Sequence, residues 1–373
     1  MPNSIEPPVL TQVSPTEIEF RGRRLIYFGG SDYFRFSWRP RIRAAVAEAA
    51  RGLGHNAGSS RMVTGNHPLY LQLERALARF FGFPVAVLTA GGYLGPLVAA
   101  QGLAGRVTHV LVDEQCHGCL KDAATLVGAQ TIFFHHEDPR ALARAVRGCG
   151  RRARIAVFTD GLSAHEGSLA PLAGYLAVLP GSSWLVVDDA HGTGTLGQRG
   201  RGSLEFLGLK DPRVIVTTTL SKALGCYGGV VLGPKWLRDR VLLQSRIYGG
   251  STAPPLAVAA ATLVALSMMR EEGAKLRQQL RENAGYVKQA FLETRPECLD
   301  HPGPMFAVSP RQAQSQERLR RMLLAAGIYP TLIRYSSGPA DRFFRFAVST
   351  AHSQKQLATL RDVLEKYERL GLP

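Results

Sequence analysis

At 373 residues and 45% hydrophobic side chains, the chain exceeds what one ordinary core takes, which implies a large domain with a smaller companion and excludes a disordered or fibrous protein. Lys plus Arg outnumber Asp plus Glu by 45 to 29, a net charge of +16. No basic run with interleaved aromatics, finger spacing or helix-turn-helix pattern accompanies it, so the charge points to an anionic cofactor, a polyanionic substrate or an acidic protein partner rather than to nucleic acid.

The opening MPNSIEPPVL lacks the basic start and long apolar run of a signal peptide, and no later stretch stays apolar long enough to span a bilayer. A cytoplasmic protein without a membrane span is expected. Five irregularly spaced cysteines (Cys116, Cys119, Cys149, Cys226, Cys298) argue against a secreted disulfide framework.

Residues 1–45 read as an N-terminal arm or entry segment and 46–255 as the large domain. In the latter, short apolar or β-branched runs (VAVLT, HVLVD, RIAVFTD, WLVVDD, VIVTTT, GGVVLG) alternate with helix-like segments. That is the pattern of α/β units around a buried, mostly parallel sheet, whose ligands bind at the carboxyl ends of strands. From Leu256 a long helical stretch runs to Leu292, followed by a Pro/Gly-marked break at RPECLDHPGP. A strand (MFAVSP), a helix near Gln316 to Ala326, a strand near Phe343 to Ser349 and a final amphipathic helix complete residues 256–373, read as a connecting helix and a small α+β domain.

Three strand ends carry chemistry. VAVLTAGGYLGP passes from a strand through Gly91 and Gly92 into a helix whose first N–H groups favour an anion such as phosphate, although such a glycine pair can equally be a simple turn. WLVVDDAHGTGTLG ends a buried strand with Asp188 and Asp189, then His191. A carboxylate there is costly unless it meets a cation or strong donor, a need that a purely structural aspartate can also satisfy. VIVTTTLSKALGCYGG places Lys222 just past its strand among hydroxyls and glycines, where burial lowers an amine's pKa and fits it to attack a carbonyl. A phosphate site, a carboxylate for a ring nitrogen and an amine for an aldehyde together match the needs of pyridoxal 5′-phosphate.

With these residues in place the sequence resembles the α-oxoamine synthases, a fold-type I pyridoxal-phosphate family that includes 8-amino-7-oxononanoate synthase and glycine C-acetyltransferase. RGRRLIYFGGSDYF, GSSRMVTGNHPLYLQLE, DDAHGTGTLGQRGRG, TLSKALGCYGG, STAPP and RFAVSTAHS look like successive landmarks of that family from about Phe20 onward. The resemblance implies a mostly parallel seven-stranded sheet flanked by helices, with a smaller C-terminal α+β domain. It implies that Lys222 binds the cofactor aldehyde, Asp188 its pyridinium, His191 its ring hydroxyl, and that His117 stacks on its ring. Gly92, Tyr93 and Thr219 would hold the phosphate, joined by Ser251 from the neighbouring subunit of a homodimer. Arg345 would pair with the amino-acid carboxylate, a task suited to a planar bidentate donor. The implied reaction is decarboxylative condensation of an amino acid with an acyl thioester, carried by coenzyme A or by an acyl carrier protein.

Three positions depart from the family pattern. Ala164, in TDGLSAHEGSLAPL, replaces a serine, Ser31 replaces an asparagine that contacts the substrate carboxylate, and Pro96 stands where asparagine is frequent. Other motifs read blandly: CHGC lacks a second CxxC for zinc, His135 and His136 lie in a polar loop, and SAHEG lacks zincin spacing, which leaves Glu166 structural. An aminotransferase or carbon–carbon lyase on the same cofactor, and a non-catalytic binding or regulatory protein, are the alternatives.

Overall fold

The computed structural model describes residues 7–333 and 342–371; the first six residues of the opening segment discussed above lie outside them. Strands β1 (Thr11–Ser14), β2 (Glu17–Phe20) and β3 (Arg23–Ile26) form an antiparallel meander. Sequence reading missed it because each strand has four residues and, of the apolar side chains, only Ile18 and Leu25 are fully buried, too little for a period-2 signal.

Seven strands then build the central sheet: β4 (Val85–Thr89), β5 (His109–Asp113), β6 (Gln130–Phe134), β7 (Ile155–Asp160), β8 (Trp184–Asp188), β9 (Val214–Thr219) and β10 (Gly229–Gly233). Their order is β4-β10-β9-β8-β7-β5-β6. Only β10 runs against its neighbours β4 and β9, so the other six present their carboxyl ends along one rim. All six apolar runs singled out in the sequence are strands of this sheet. The seventh, β6, reads poorly because it is an edge strand with Gln130, Thr131 and Phe133 exposed.

Successive side chains of a strand point to opposite faces, and here both faces are covered. Leu185 and Val187 of β8 enter one apolar cluster while Val186 enters the other. Burial on both sides is why these strands read as unbroken apolar runs.

Helix Leu256–Lys288, 33 residues long, leads to a second sheet of β11 (Met305–Val308), β12 (Leu332–Ile333) and β13 (Phe343–Ala347), ordered β11-β13-β12 and antiparallel. Helices Ala313–Ala325 and Gln354–Glu368 cover it. A third apolar cluster joins Phe291, Phe306, Phe346 and Leu360 with Phe28 of the entry segment. The Ala347 N–H donates to Phe28 O at 2.6 Å and the Thr350 N–H to Tyr33 O at 2.9 Å. These bonds fix the entry segment on the C-terminal unit and carry Tyr33 to the rim of the large sheet.

Candidate active site

A cavity of about 230 Å³ opens at that rim. Successive strand ends supply its wall: Gly92 and Tyr93 after β4, His117 and Cys119 after β5, Asp160 at the end of β7, Asp188 and His191 from the end of β8, and Thr219 and Lys222 from the end of β9.

Asp188 and Asp160 are register partners on adjacent strands. Asp188 Oδ1 accepts the Ala190 N–H at 3.1 Å, and Oδ2 accepts the Cys119 thiol at 3.3 Å. Asp160 accepts the His117 N–H at 2.9 Å, and burial, reinforced by the charge of Asp188, pushes its pKa well up. Two neighbouring carboxyls cannot both ionise cheaply, which drives Asp160 toward its neutral form. Asp189, next in sequence, turns away from the cavity to accept the Ser203 N–H at 2.7 Å. Its surroundings are closed by Gly202, whose φ of +99° suits only glycine.

Lys222 Nζ lies 2.7 Å from His191 Nε2, and the Tyr33 hydroxyl lies 2.6 Å from His191 Nδ1. Burial lowers the Lys222 pKa to about 8 against the opposing attraction of Asp188. The surface this lysine keeps belongs to the cavity it lines. Burial, and then the neighbouring Lys222, hold His191 well below the usual imidazole range, so its ring is neutral. His117 caps helix Gly118–Leu126: its Nδ1 accepts the Cys119 N–H at 3.2 Å and sits 3.0 Å from Cys119 Sγ.

At the other end, Gly92 is seated so tightly that an added Cβ would come within 2.6 Å of Thr219 Cβ. Helix Leu94–Leu103 therefore starts flush against Thr219, whose Oγ1 is 2.8 Å from Ser221 Oγ. Tyr93 donates its hydroxyl to Asp122. Arg345, on β13, bonds the Tyr33 side chain, and its charge lowers the pKa of Lys222, His191 and His117, although it is not among the residues that line the cavity. Its Nε and Nη2 are buried and without a hydrogen-bond partner among the described residues.

Besides Arg345, two candidates from the sequence are not among the lining residues. Ser31 lies beside Tyr33. Ser251 ends helix Arg246–Gly250 and faces a separate, much smaller pocket with Arg61 and Thr252. Ala164 does line the cavity, but neither neighbour restores a hydroxyl. Ser163 Oγ accepts the His165 and Glu166 N–H groups, and the His165 ring packs edge-on against Phe343 at 4.2 Å. Pro96 is buried in the first turn of its helix, where a missing N–H costs little. Sequence reading missed Tyr33, Cys119 and Asp160. Tyr33 and Cys119 sat inside quoted motifs, and Asp160 closes an apolar strand as Asp188 does. His136 pairs with Asp113 at 2.7 Å, and among the described residues no group of three His, Cys, Asp or Glu side chains is arranged to hold a metal.

Comparison with known proteins decides the family. The aminotransferase class I and II profile matches residues 25–364. The 8-amino-7-oxononanoate synthase of Nitrosococcus oceani is 35% identical over 359 residues, covering 95% of each chain. That of Methylococcus capsulatus is 36% identical over 356 residues, 94% of this chain and 90% of the relative. The solved serine palmitoyltransferase of S. paucimobilis, with PLP bound, superposes at a TM-score of 0.88 with 26% identity, covering 97% of this chain and 92% of that one. The chain belongs to the α-oxoamine synthases. An α-oxoamine synthase is a pyridoxal-phosphate-dependent acyltransferase, and the cavity suits that cofactor on its own geometry. It offers a depressed-pKa amine, a strand-end carboxylate and a helix start with no room for a Cβ.

Proposed function

We propose that this cleft condenses an amino acid with an acyl thioester, releasing carbon dioxide and free thiol and leaving an α-amino ketone, in the manner of 8-amino-7-oxononanoate synthase. The observation that carries the proposal is the meeting of Lys222, Asp188 and the Gly92 helix start around one cavity, with the unbonded Nε and Nη2 of Arg345 close enough for its charge to act on Lys222.

Pyridoxal phosphate, when bound, supplies an aldehyde for amines and a ring that draws electrons from the amino acid's Cα. Asp188 would hold the proton on its pyridine nitrogen and His191 its ring hydroxyl, while His117 covers one face. Gly92, Tyr93 and Thr219 would take the phosphate, with the first-turn N–H groups pointing at it. Lys222, with its lowered pKa, would be the amine that holds the cofactor aldehyde and the base that carries the Cα proton. Its neighbour His191, 2.7 Å away and neutral, can share that proton. Arg345 would grip the substrate carboxylate through Nε and Nη2, orienting the Cα substituents before carboxylate loss.

The reading includes a homodimer: Ser251, which lines a pocket apart from its own cleft, would join the phosphate site of a second copy. Residues 46–255 would form the cofactor domain and 256–373 the smaller one. The cysteines of the described residues are all free, which favours a reducing, cytoplasmic location. The donor is an acyl group on coenzyme A or on an acyl carrier protein, either of which a +16 chain attracts.

The test incubates loaded enzyme with an amino-acid panel and acyl thioesters of varied length and carrier. Thiol and carbon dioxide released in equal amounts support the proposal. Thiol without carbon dioxide, or amino transfer to a keto acid, refutes it.

A further inference from the structure

We propose that Cys119 is a positioning residue whose single thiol proton is shared between Asp188 and His117, coupling the carboxylate meant for the ring nitrogen to the imidazole meant for the ring face. The inference rests on the reading of the cleft as a pyridoxal-phosphate site. Cys119 is the second residue of helix Gly118–Leu126 and is 2% exposed. Packed there, its Sγ stands 3.3 Å from Asp188 Oδ2 and 3.0 Å from His117 Nδ1.

The donor count is restrictive. A thiol has one proton and cannot donate to both acceptors at once. His117 Nδ1 already accepts the Cys119 backbone N–H at 3.2 Å, so in the neutral ring the proton belongs on Nε2. Burial drives the His117 ring toward that neutral form and keeps the thiol protonated, since its surroundings, Asp188 foremost among the charges, push its pKa up. Cys119 is therefore a donor rather than a nucleophile.

Asp188 Oδ1 accepts the Ala190 N–H and Oδ2 the Cys119 thiol, so a ring N–H that bonds Oδ2 would share that oxygen with the thiol. Without that ligand, Cys119 can satisfy Oδ2. A ring N–H on Oδ2 would draw charge from that oxygen and weaken it as an acceptor, and the thiol would then turn about its Cβ–Sγ bond to donate to His117 Nδ1. The Nδ1 lone pair is then shared by two donors, the backbone N–H and the thiol, which holds the plane of the ring. No bond is made or broken; one hydrogen bond changes acceptor. A cysteine that merely filled space would leave the response of the His117 ring to loading and the affinity of the cofactor unchanged when replaced by alanine.

The experiment uses the full chain with and without added pyridoxal 5′-phosphate. Infrared spectroscopy follows the S–H stretch, assigned to Cys119 by its absence in C119S, and nitrogen-15 NMR follows the His117 ring before and after loading. The expected results are an S–H band that shifts on loading and a C119S variant that keeps the wild-type response of His117 to loading and a cofactor Kd within about threefold, because serine restores the single donor. C119A should lower the Kd about fivefold, because the unloaded site loses a bond to a carboxylate and the loaded site only one to a neutral ring, and its His117 ring should no longer respond to loading through the thiol. A band unmoved by cofactor uptake, or a C119A variant matching wild type in both readouts, overturns the proposal while leaving the cofactor reading intact. Failure of the wild type to take up pyridoxal phosphate would overturn that reading and the proposal with it.

Discussion

The Lys222 amine offers the sharpest quantitative test. Burial brings its pKa to about 8 from an ordinary value of 10.5. Only the neutral amine attacks an aldehyde, and at pH 7 this shift raises its share from about 1 in 3,000 to about 1 in 10, a gain of roughly 300-fold. Two residues pull in opposite directions: Asp188 favours the ammonium and Arg345 opposes it. Cofactor-free protein mixed with pyridoxal 5′-phosphate across a pH series, followed by absorbance and borohydride trapping, should give a rate that rises with pH and levels off above about 8. Asp188→Asn removes the attraction that stabilises the ammonium, so the midpoint moves down. Arg345→Leu removes a like charge, so it moves up. A rate still climbing at about pH 10, or two midpoints displaced in the same direction, would refute the electrostatic account.

Three further substitutions probe separate parts of the structure. Arg345→Leu should raise the amino-acid concentration needed for the cofactor absorption change about 100-fold, as expected for losing about 3 kcal/mol of charge-assisted bonding; an unchanged titration would remove Arg345 from the substrate site. Gly92→Ala forces a Cβ to within 2.6 Å of Thr219 Cβ and 2.7 Å of its Oγ1, and should weaken cofactor binding about 10- to 100-fold at unchanged circular dichroism. Full affinity would mean that the phosphate does not sit at this helix start. Glu74→Gln breaks the buried Arg61–Glu74 pair, 2.5 Å at its shortest, whose carboxylate also accepts the Leu88 N–H. Chemical unfolding should register a loss of about 3 kcal/mol, because Arg61 is left buried without a counter-charge, and a loss under about 1 kcal/mol would contradict that view.

The central sheet was legible because its strands are buried on both faces, and Leu185 to Val187 can be nothing but apolar. What was illegible lacks that constraint: β6 at the open edge, and β1 to β3, where four-residue strands leave no room for a period. The strand-end logic likewise found Asp188 and Lys222, because a charge closing an apolar run demands a reason. It separated Asp188 from Asp189 only by resemblance; in space the two diverge because Gly202 lets the chain fold over Asp189. Tyr33 and Cys119 could not be found by charge or periodicity. Each acts through a hydrogen bond to a residue far along the chain, His191 for one and Asp188 for the other, and such pairings exist only once the rim is assembled. Ser251 shows the converse: its motif is plain in sequence, yet its own chain does not bring it to the cleft.

The central claim is that Lys222 is the amine that receives the cofactor. Borohydride reduction of the protein loaded with pyridoxal 5′-phosphate, followed by proteolysis and mass spectrometry, tests it most directly. The account predicts one reduced pyridoxyl group per chain, on Lys222, and none on a Lys222→Ala variant. Label spread over surface lysines, or retained stoichiometric labelling in that variant, would contradict it.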